Sequence, residues 1–337
     1  MNTNTTPNCS RRRFLKQTFA FSAAALLARP HRLRAAESVP AGAHELLMIG
    51  DWGLGAPEPE KAQVAVARGM ADYVREQKFK PEALMLLGDN FYGKMPGGVK
   101  SPRWQNQFEA MYPRPVFDCP CPAILGNHDY NIEPKGKWQA QLDYAASNPG
   151  TRWTMPAKWY RWEFPKVKPL ITFLMLDSNF FPADLKKDSL TQPERDAQMQ
   201  WLRTELAKPR TAPFLVMCGH HPLFNNGKHG DGKEQIAAWD KLMREHRVDF
   251  YFCGHDHDLQ HLEFAGHPTS FVISGGGGAR LYDMKEIAEQ RGPFSQSVYG
   301  FTHLSAVPDR LIVRHLDANR KLLHAFSKTP KGVVSML

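Results

Sequence analysis

The chain has 337 residues, 42% of them hydrophobic, enough to bury a substantial core as one large domain or two small ones. Its mean hydropathy of −0.47 speaks against an integral membrane protein. The formal charge of +9 invites a nucleic-acid reading, but residues 1–36 hold seven of the 43 Lys and Arg and none of the 34 acids, so the remainder is close to +2 and no nucleic-acid partner is expected.

The N-terminus carries Ser10-Arg11-Arg12-Arg13-Phe14-Leu15-Lys16, a mild apolar stretch over 19–28 and a basic tract ending at Ala36. This resembles a bacterial twin-arginine export signal cleaved near Ala35 or Ala36, and its apolar run is too short to span a bilayer. The alternative is an amphipathic arm. The resemblance implies handling by the twin-arginine translocation machinery, export to the periplasm or medium, and no stable membrane insertion. A signal over 1–36 leaves one catalytic domain over 44–337. With Cys9 in the signal, Cys119, Cys121, Cys218 and Cys253 remain and suggest no disulfide framework.

Along that domain five short apolar runs each stop at a glycine followed by polar residues, the pattern of a buried strand ending in a functional loop. Run 46–49 leads into Gly50-Asp51-Trp52-Gly53, and a helical pattern follows over 58–77. Run 83–87 leads into Gly88-Asp89-Asn90-Phe91-Tyr92, then an insert to Pro113 whose Lys94, Lys100, Arg103 and Trp104 are expected at a pocket mouth. Cys119-Pro120-Cys121 is expected in a plain loop. Run 123–125 leads into Gly126-Asn127-His128-Asp129 and a helix over 138–146. Strands over 159–164 and 170–176 and a helix over 193–206 come next, then run 214–218 before Gly219-His220-His221-Pro222. A loop containing Lys228-His229-Gly230 and a helix over 234–246 precede run 250–253 and Gly254-His255-Asp256-His257. Strand-rich stretches at 259–264, 270–274 and 300–316 close the chain. Cys218 and Cys253 are expected as small buried hydrophobes, and His246, His261 and His303 as ordinary core or surface histidines.

The five patches, in this order, resemble the metallophosphoesterase superfamily, and the resemblance covers nearly the whole of 44–337. It implies an α/β fold, a four-layer β-sandwich of mixed sheets flanked by helices. Many members carry Asp-x-His in the first patch, whereas here position 53 is Gly and the second patch gains Tyr92. That combination is similar to the small, single-domain purple acid phosphatases. Carried over, Asp51, Asp89, Tyr92 and His257 hold ferric iron, while Asp89, Asn127, His220 and His255 hold a divalent metal, Fe, Zn or Mn, with Asp89 bridging. The donors suit the ions: two carboxylates and a phenolate for a hard trivalent ion, two imidazoles for a divalent one. Such a pair activates hydroxide for in-line attack on a phosphate monoester, with an acidic working range. His128 is expected on the substrate phosphate with Asp129 orienting it, and His229, nine residues after His220, as the proton donor to the leaving group.

Asp256 and Asp258, beside ligand histidines, are expected to support them, and the role of His221 is open between phosphate binding, metal competition and packing. One alternative is a phosphodiesterase or nucleotidase using manganese or zinc. The other is a noncatalytic, metal-stabilised phosphate-binding module, which the retention of Asp89, Asn127 and His128 argues against.

Overall fold

In the first strand Leu46, Leu47, Met48 and Ile49 are all fully buried, because the strand is covered on both faces. Alternate side chains serve different layers: Leu46 and Met48 point into one core cluster, Leu47 and Ile49 into another. The computed structural model describes residues 38–55, 60–130, 136–180, 189–285 and 291–337. Val39–Met336 forms one compact unit. The expected export signal lies outside the described residues.

The strands are β1 (His44–Ile49), β2 (Ala83–Leu86), β3 (Cys121–Pro122), β4 (Trp153–Thr154), β5 (Tyr160–Phe164), β6 (Ile171–Met175), β7 (Phe214–Cys218), β8 (Phe250–Cys253), β9 (Leu259–Leu262), β10 (Ser270–Ser274), β11 (Phe294–Gln296), β12 (Gly300–Val307), β13 (Arg310–Asp317), β14 (Leu322–Lys328) and β15 (Val334–Met336). One mixed sheet runs β15-β14-β13-β12-β1-β2, the other β11-β9-β10-β8-β7-β6-β5. Their facing sides share a core of Met48, Met85, Leu304 and Val313 with Phe173, Val216, Phe252 and Val272. On the far side of the first sheet lies helix Lys61–Gln77, whose Val66, Met70, Tyr73 and Val74 recur at helical spacing. Helix Gln192–Ala207 covers the second sheet through Leu202 and Leu206. The result is the expected helix, sheet, sheet, helix stacking.

Local sequence accounts for the helix limits. Thr191 and Glu194 form a reciprocal capping box with Pro193 in the first turn, and helix Lys61–Gln77 stops where Lys78 turns left-handed at φ 55°.

Three expectations shift. Only an isolated bridge from Leu86 to Ala123 marks the run 123–125. Strand pairing begins earlier instead, at Cys121 within the expected Cys-Pro-Cys loop, where the Cys121 N–H reaches the Arg152 carbonyl at 2.7 Å. The helix over 234–246 breaks into Lys233–Gln235, a π-helical Ile236–Asp240 and Lys241–Glu245. That wider turn carries fully buried Trp239, whose ring meets Phe180 and Tyr251.

β1 and β2 run parallel in one sheet, β7 and β8 in the other, so the loops after all four leave at carboxyl ends. Those loops are tied to each other by Asp51 N–H to Gly88 O at 3.1 Å and Gly254 N–H to His220 O at 3.1 Å, and the first is tied to the end of β10 by Gly50 N–H to Ser274 O at 2.7 Å. Gly88 needs its lack of a side chain, since φ is +88° and a Cβ would sit 2.6 Å from the His220 ring.

Candidate metal centre

Asp51, Asp89 and His255 adopt φ of 58°, 51° and 71°, a left-handed backbone that is uncommon for non-glycine residues and is taken most readily by Asn, Asp and His. The turn aims their side chains into one cleft with Tyr92, Asn127, His220 and His257.

Two groups of donors form there. In the first, Tyr92 Oη lies 3.1 Å from Asp51 Oδ1 and 3.2 Å from His257 Nε2, and His257 Nε2 is 3.5 Å from Asp51 Oδ1. In the second, His255 Nδ1 lies 3.0 Å from Asn127 Oδ1, and the His255 and His220 rings are 5.2 Å apart. Asp89 sits between the groups, its Oδ1 3.4 Å from His220 Nε2. Donor atoms of Asp51, Asp89 and His220 fall within 4.8 Å of one another, as do those of His220, His221 and His255.

Backbone carbonyls fix two of the imidazoles: His220 Nδ1 donates to Leu87 O at 2.8 Å, and His257 Nδ1 to Arg280 O at 2.6 Å. Each ring therefore presents Nε2 to the cleft, the arrangement that a metal-ligating histidine requires. Fully buried His220 Nε2 has no hydrogen-bond partner, an orphan that a cation would satisfy. The donor set thus fits a pair of metal ions.

Titration behaviour points the same way. Burial raises the Asp89 carboxyl, but the charge of His220, with the charge and backbone N–H of His128, outweighs it and holds the group well below the usual range. Burial is likewise overcome at His220 by Asp89 and Asp51, which push it up to about 10. Burial, then Asp89 and Asp51, drives the Tyr92 phenol well above its ordinary value, so a strong cation is needed to form the phenolate. His255 is held neutral by burial and by His221, His220 and His229.

Around these donors the His128 ring stacks on Tyr92 at 4.2 Å, and its backbone N–H reaches Asp89 Oδ1 at 2.7 Å. The His229 ring lies 4.5 Å from His255, and its Nδ1 is 3.2 Å from Asp256 Oδ1. Asp256 also takes the Asn225 amide, which anchors the His229 loop to the segment between the two cleft histidines. Gln260 binds Asp258 Oδ2 at 2.8 Å. His221 packs 4.3 Å from His255 and shares a 2.7 Å hydrogen bond with Ser178.

Several outcomes differ from expectation. The Asp129 carboxylate accepts from the N–H groups of Gly126 (2.8 Å), Phe91 (3.0 Å) and Asn90 (3.1 Å), and so staples two of the patches together instead of steering the His128 ring. Burial and the Asp89 charge push it up to about 6. Arg103, expected at the pocket mouth, is fully buried and donates to backbone carbonyls. Tyr282 had no sequence signal, yet it stacks on His257 at 4.5 Å and carries the Lys228 ammonium 3.9 Å above its ring. Cys218 and Cys253 are the small buried residues expected, and Cys119 and Cys121 are likewise buried free thiols. Core hydrogen bonds hold His303 to Glu45 and Tyr73, and His261 to Glu263 and His324.

Comparison with known proteins agrees. Residues 45–259 match the model of the calcineurin-like phosphoesterases. Tartrate-resistant acid phosphatase type 5 of Sus scrofa is 28% identical over 294 residues, covering 82% of this chain and 84% of its own. Purple acid phosphatase 7 of Arabidopsis thaliana is 31% identical, covering 70% of each chain. Among solved structures, GAP50, the anchor in the inner membrane complex of Plasmodium, superimposes with a TM-score of 0.70 at 19% identity, over 84% of this chain and 87% of that one. A purple acid phosphatase from yellow lupin (Lupinus luteus) seeds gives a TM-score of 0.64 at 16% identity, over 86% and 54%. At such identities the two structures speak for the fold alone. Matched over most of its described length, the chain belongs to the calcineurin-like phosphoesterase family, and within it to the purple acid phosphatases.

Proposed function

We propose that this chain is an acid phosphatase that hydrolyses phosphate monoesters at a dinuclear Fe(III)–M(II) centre, with M being Fe, Zn or Mn. Asp51, Asp89, Tyr92 and His257 hold the ferric ion, and Asp89, Asn127, His220 and His255 the divalent one. Support comes chiefly from the unpartnered Nε2 of buried His220, facing Asp89 and Asp51 at 3.4 and 3.9 Å. When bound, the metal pair supplies an acidified water as nucleophile and positive charge for the phosphoryl oxygens.

The residues around it divide the remaining work. His128, stacked on Tyr92 at the edge of the cleft, and Asn127 receive the phosphate. His229 turns Nδ1 to Asp256, which leaves Nε2 to hand a proton to the leaving alkoxide. The side chain of His229 is 39% exposed, so it reprotonates from solvent between turnovers. The catalytic domain spans 44–337. Residues 1–36 direct export through the twin-arginine machinery to the periplasm or medium, and no helix among the described residues is long and apolar enough to cross a membrane.

The test is the visible absorption spectrum of the purified, metal-analysed protein beside its Tyr92→Phe variant. A purple or pink band lost in the variant is the expected result. A colourless protein that holds two metals and cleaves phosphate esters would instead be a phosphoesterase of the manganese or zinc type. A protein that binds no metal would overturn the assignment.

A further inference from the structure

Two buried cations lie behind the candidate metal centre, and neither has a carboxylate within ion-pair distance among the described residues. Arg103 is 0% exposed and Lys137 is 2%. Burying a charge without a counter-charge is expensive unless each of its hydrogens is taken up. Here each of them is. Arg103 Nη1 donates to the carbonyls of Tyr92 (2.6 Å) and Lys94 (2.7 Å), Nη2 to those of Gly53 and Gly55 (both 2.8 Å), and Nε to Gln107 Oε1 (2.7 Å). That commits all five donors of a planar guanidinium, a fork that lysine cannot reproduce. Lys137 Nζ commits its three to the carbonyls of Phe91 (2.9 Å), Gly93 (2.8 Å) and His128.

The seven backbone carbonyls are not scattered. Gly53 and Gly55 follow Asp51. Phe91 to Lys94 contain Tyr92 and follow Asp89, and His128 adjoins Asn127. Arg103 therefore joins the Asp51 loop to the Tyr92 loop, and Lys137 joins the Tyr92 loop to the Asn127 loop. Gln107 reinforces the first junction, its Nε2 reaching Gly55 O at 2.6 Å. Both cations also stand behind a site rich in anionic donors, which offsets part of their burial.

We propose that Arg103 and Lys137 are positioning residues: they set the spacing of the three loops that carry Asp51, Asp89, Tyr92 and Asn127, and so govern how tightly the metal pair is held and how the Tyr92 oxygen meets its ion, without touching substrate. This rests on the metal assignment above. The wild-type band and metal content test that assignment, and the ratio of variant to wild type tests this one.

The experiment compares the metal-loaded wild type with Arg103→Lys, Lys137→Met and Gln107→Leu, following metal loss to a weak chelator, the visible band, thermal midpoint, and kcat and KM for p-nitrophenyl phosphate. Supporting groups beyond the ligands themselves are commonly worth roughly 10–100-fold in metal affinity. Arg103→Lys keeps the charge but satisfies at most three of the five acceptors, so metal loss at least about tenfold faster is expected. The visible band should move and kcat should fall, with KM within about twofold because no substrate contact changes. Gln107→Leu, which leaves the guanidinium in place, should show the same changes at smaller size, and it decides the question if Arg103→Lys does not fold. Metal retention and band position equal to wild type, with only the thermal midpoint lowered, would overturn the proposal and leave the pair as ordinary supports of the fold.

Discussion

Gly53 stands where many members of the superfamily place a ligand histidine, and the structure says why no side chain can return there. A Cβ on residue 53 would lie 1.8 Å from Asn90 O, 2.2 Å from Asn90 C and 2.6 Å from Phe91 N, all backbone atoms of the loop that follows Asp89. Its φ is not in the left-handed region, so Gly53→Ala isolates the steric term from backbone strain. The carbonyl must retreat by more than an ångström, which strains the Tyr92 N–H to Gly53 O bond (2.9 Å) and the Gly53 N–H to Asp89 O bond (3.2 Å). Overpacking of this kind costs roughly 1–3 kcal/mol, and weakening two backbone hydrogen bonds adds roughly 1 kcal/mol each. The sum is about 3–5 kcal/mol, or a thermal midpoint lower by roughly 10 °C for a domain of this size. Thermal unfolding and metal analysis of Gly53→Ala and Gly53→His measure it. Both should lose stability and metal, and the new histidine should gain no ligand role. If Gly53→His unfolded at the wild-type temperature while keeping two metals, the packing reasoning would be refuted.

Other consequences follow from the surroundings of the cleft. His229→Ala should slow hydrolysis of an alkyl phosphate by about 100-fold but that of an aryl ester with a good leaving group by under tenfold, since only the former needs the proton; equal losses would remove His229 from that role. Stability should fall with acid through a histidine group that is not among the candidate metal ligands. Burial, then the neighbouring His261, lowers His324 to about 3. The groups facing it are His261 (Nδ1 at 3.0 Å), with Glu263 behind, His315 (ring centroid 6.3 Å away) and the rings of Phe294 and Phe326. A depressed folded-state value means that the contribution is complete above the unfolded value near 6.5 and is lost as pH falls from there toward 3. One proton contributes at most about 1.4 kcal/mol per pH unit, less for a partly exposed ring. Urea unfolding of His324→Gln between pH 7 and 4 should therefore show a shallower slope than wild type, and an identical slope would place the acid sensitivity elsewhere.

Much of this architecture is legible in the chain because each patch couples a local rule to a chemical one. An apolar run of three to five residues, a glycine, then Asp, Asn or His marks both the strand, or at Ala123 a single bridge, and the reason its end is kept polar. Asp51, Asp89, Asn127, His220, His255 and His257 could be found without knowing which strands are neighbours, and Tyr92 stands out because its appearance coincides with the loss of a side chain at 53. The helix limits at Thr191 and Gln77 follow from capping and periodicity, which are also local.

What could not be read depends on contacts between residues far apart in sequence. Arg103 looks like any basic loop residue, and nothing within the insert announces that Gly53 and Gly55, about 50 residues earlier, supply its acceptors. The single local hint is Gln107 four positions on, in register with the buried Trp104 and Phe108 of the same turn. Asp129 misleads for a related reason. Adjacency to His128 suggests that it serves that ring, yet the turn at residues 126–129 curls the carboxylate back onto the N–H groups of Gly126, Asn90 and Phe91. The candidate ligand side chains thus follow from residue type and position after a strand, whereas the groups that hold the loops follow from unmatched backbone N–H and C=O groups. Those groups are identical at every residue, so only the assembled fold shows which side chains satisfy them.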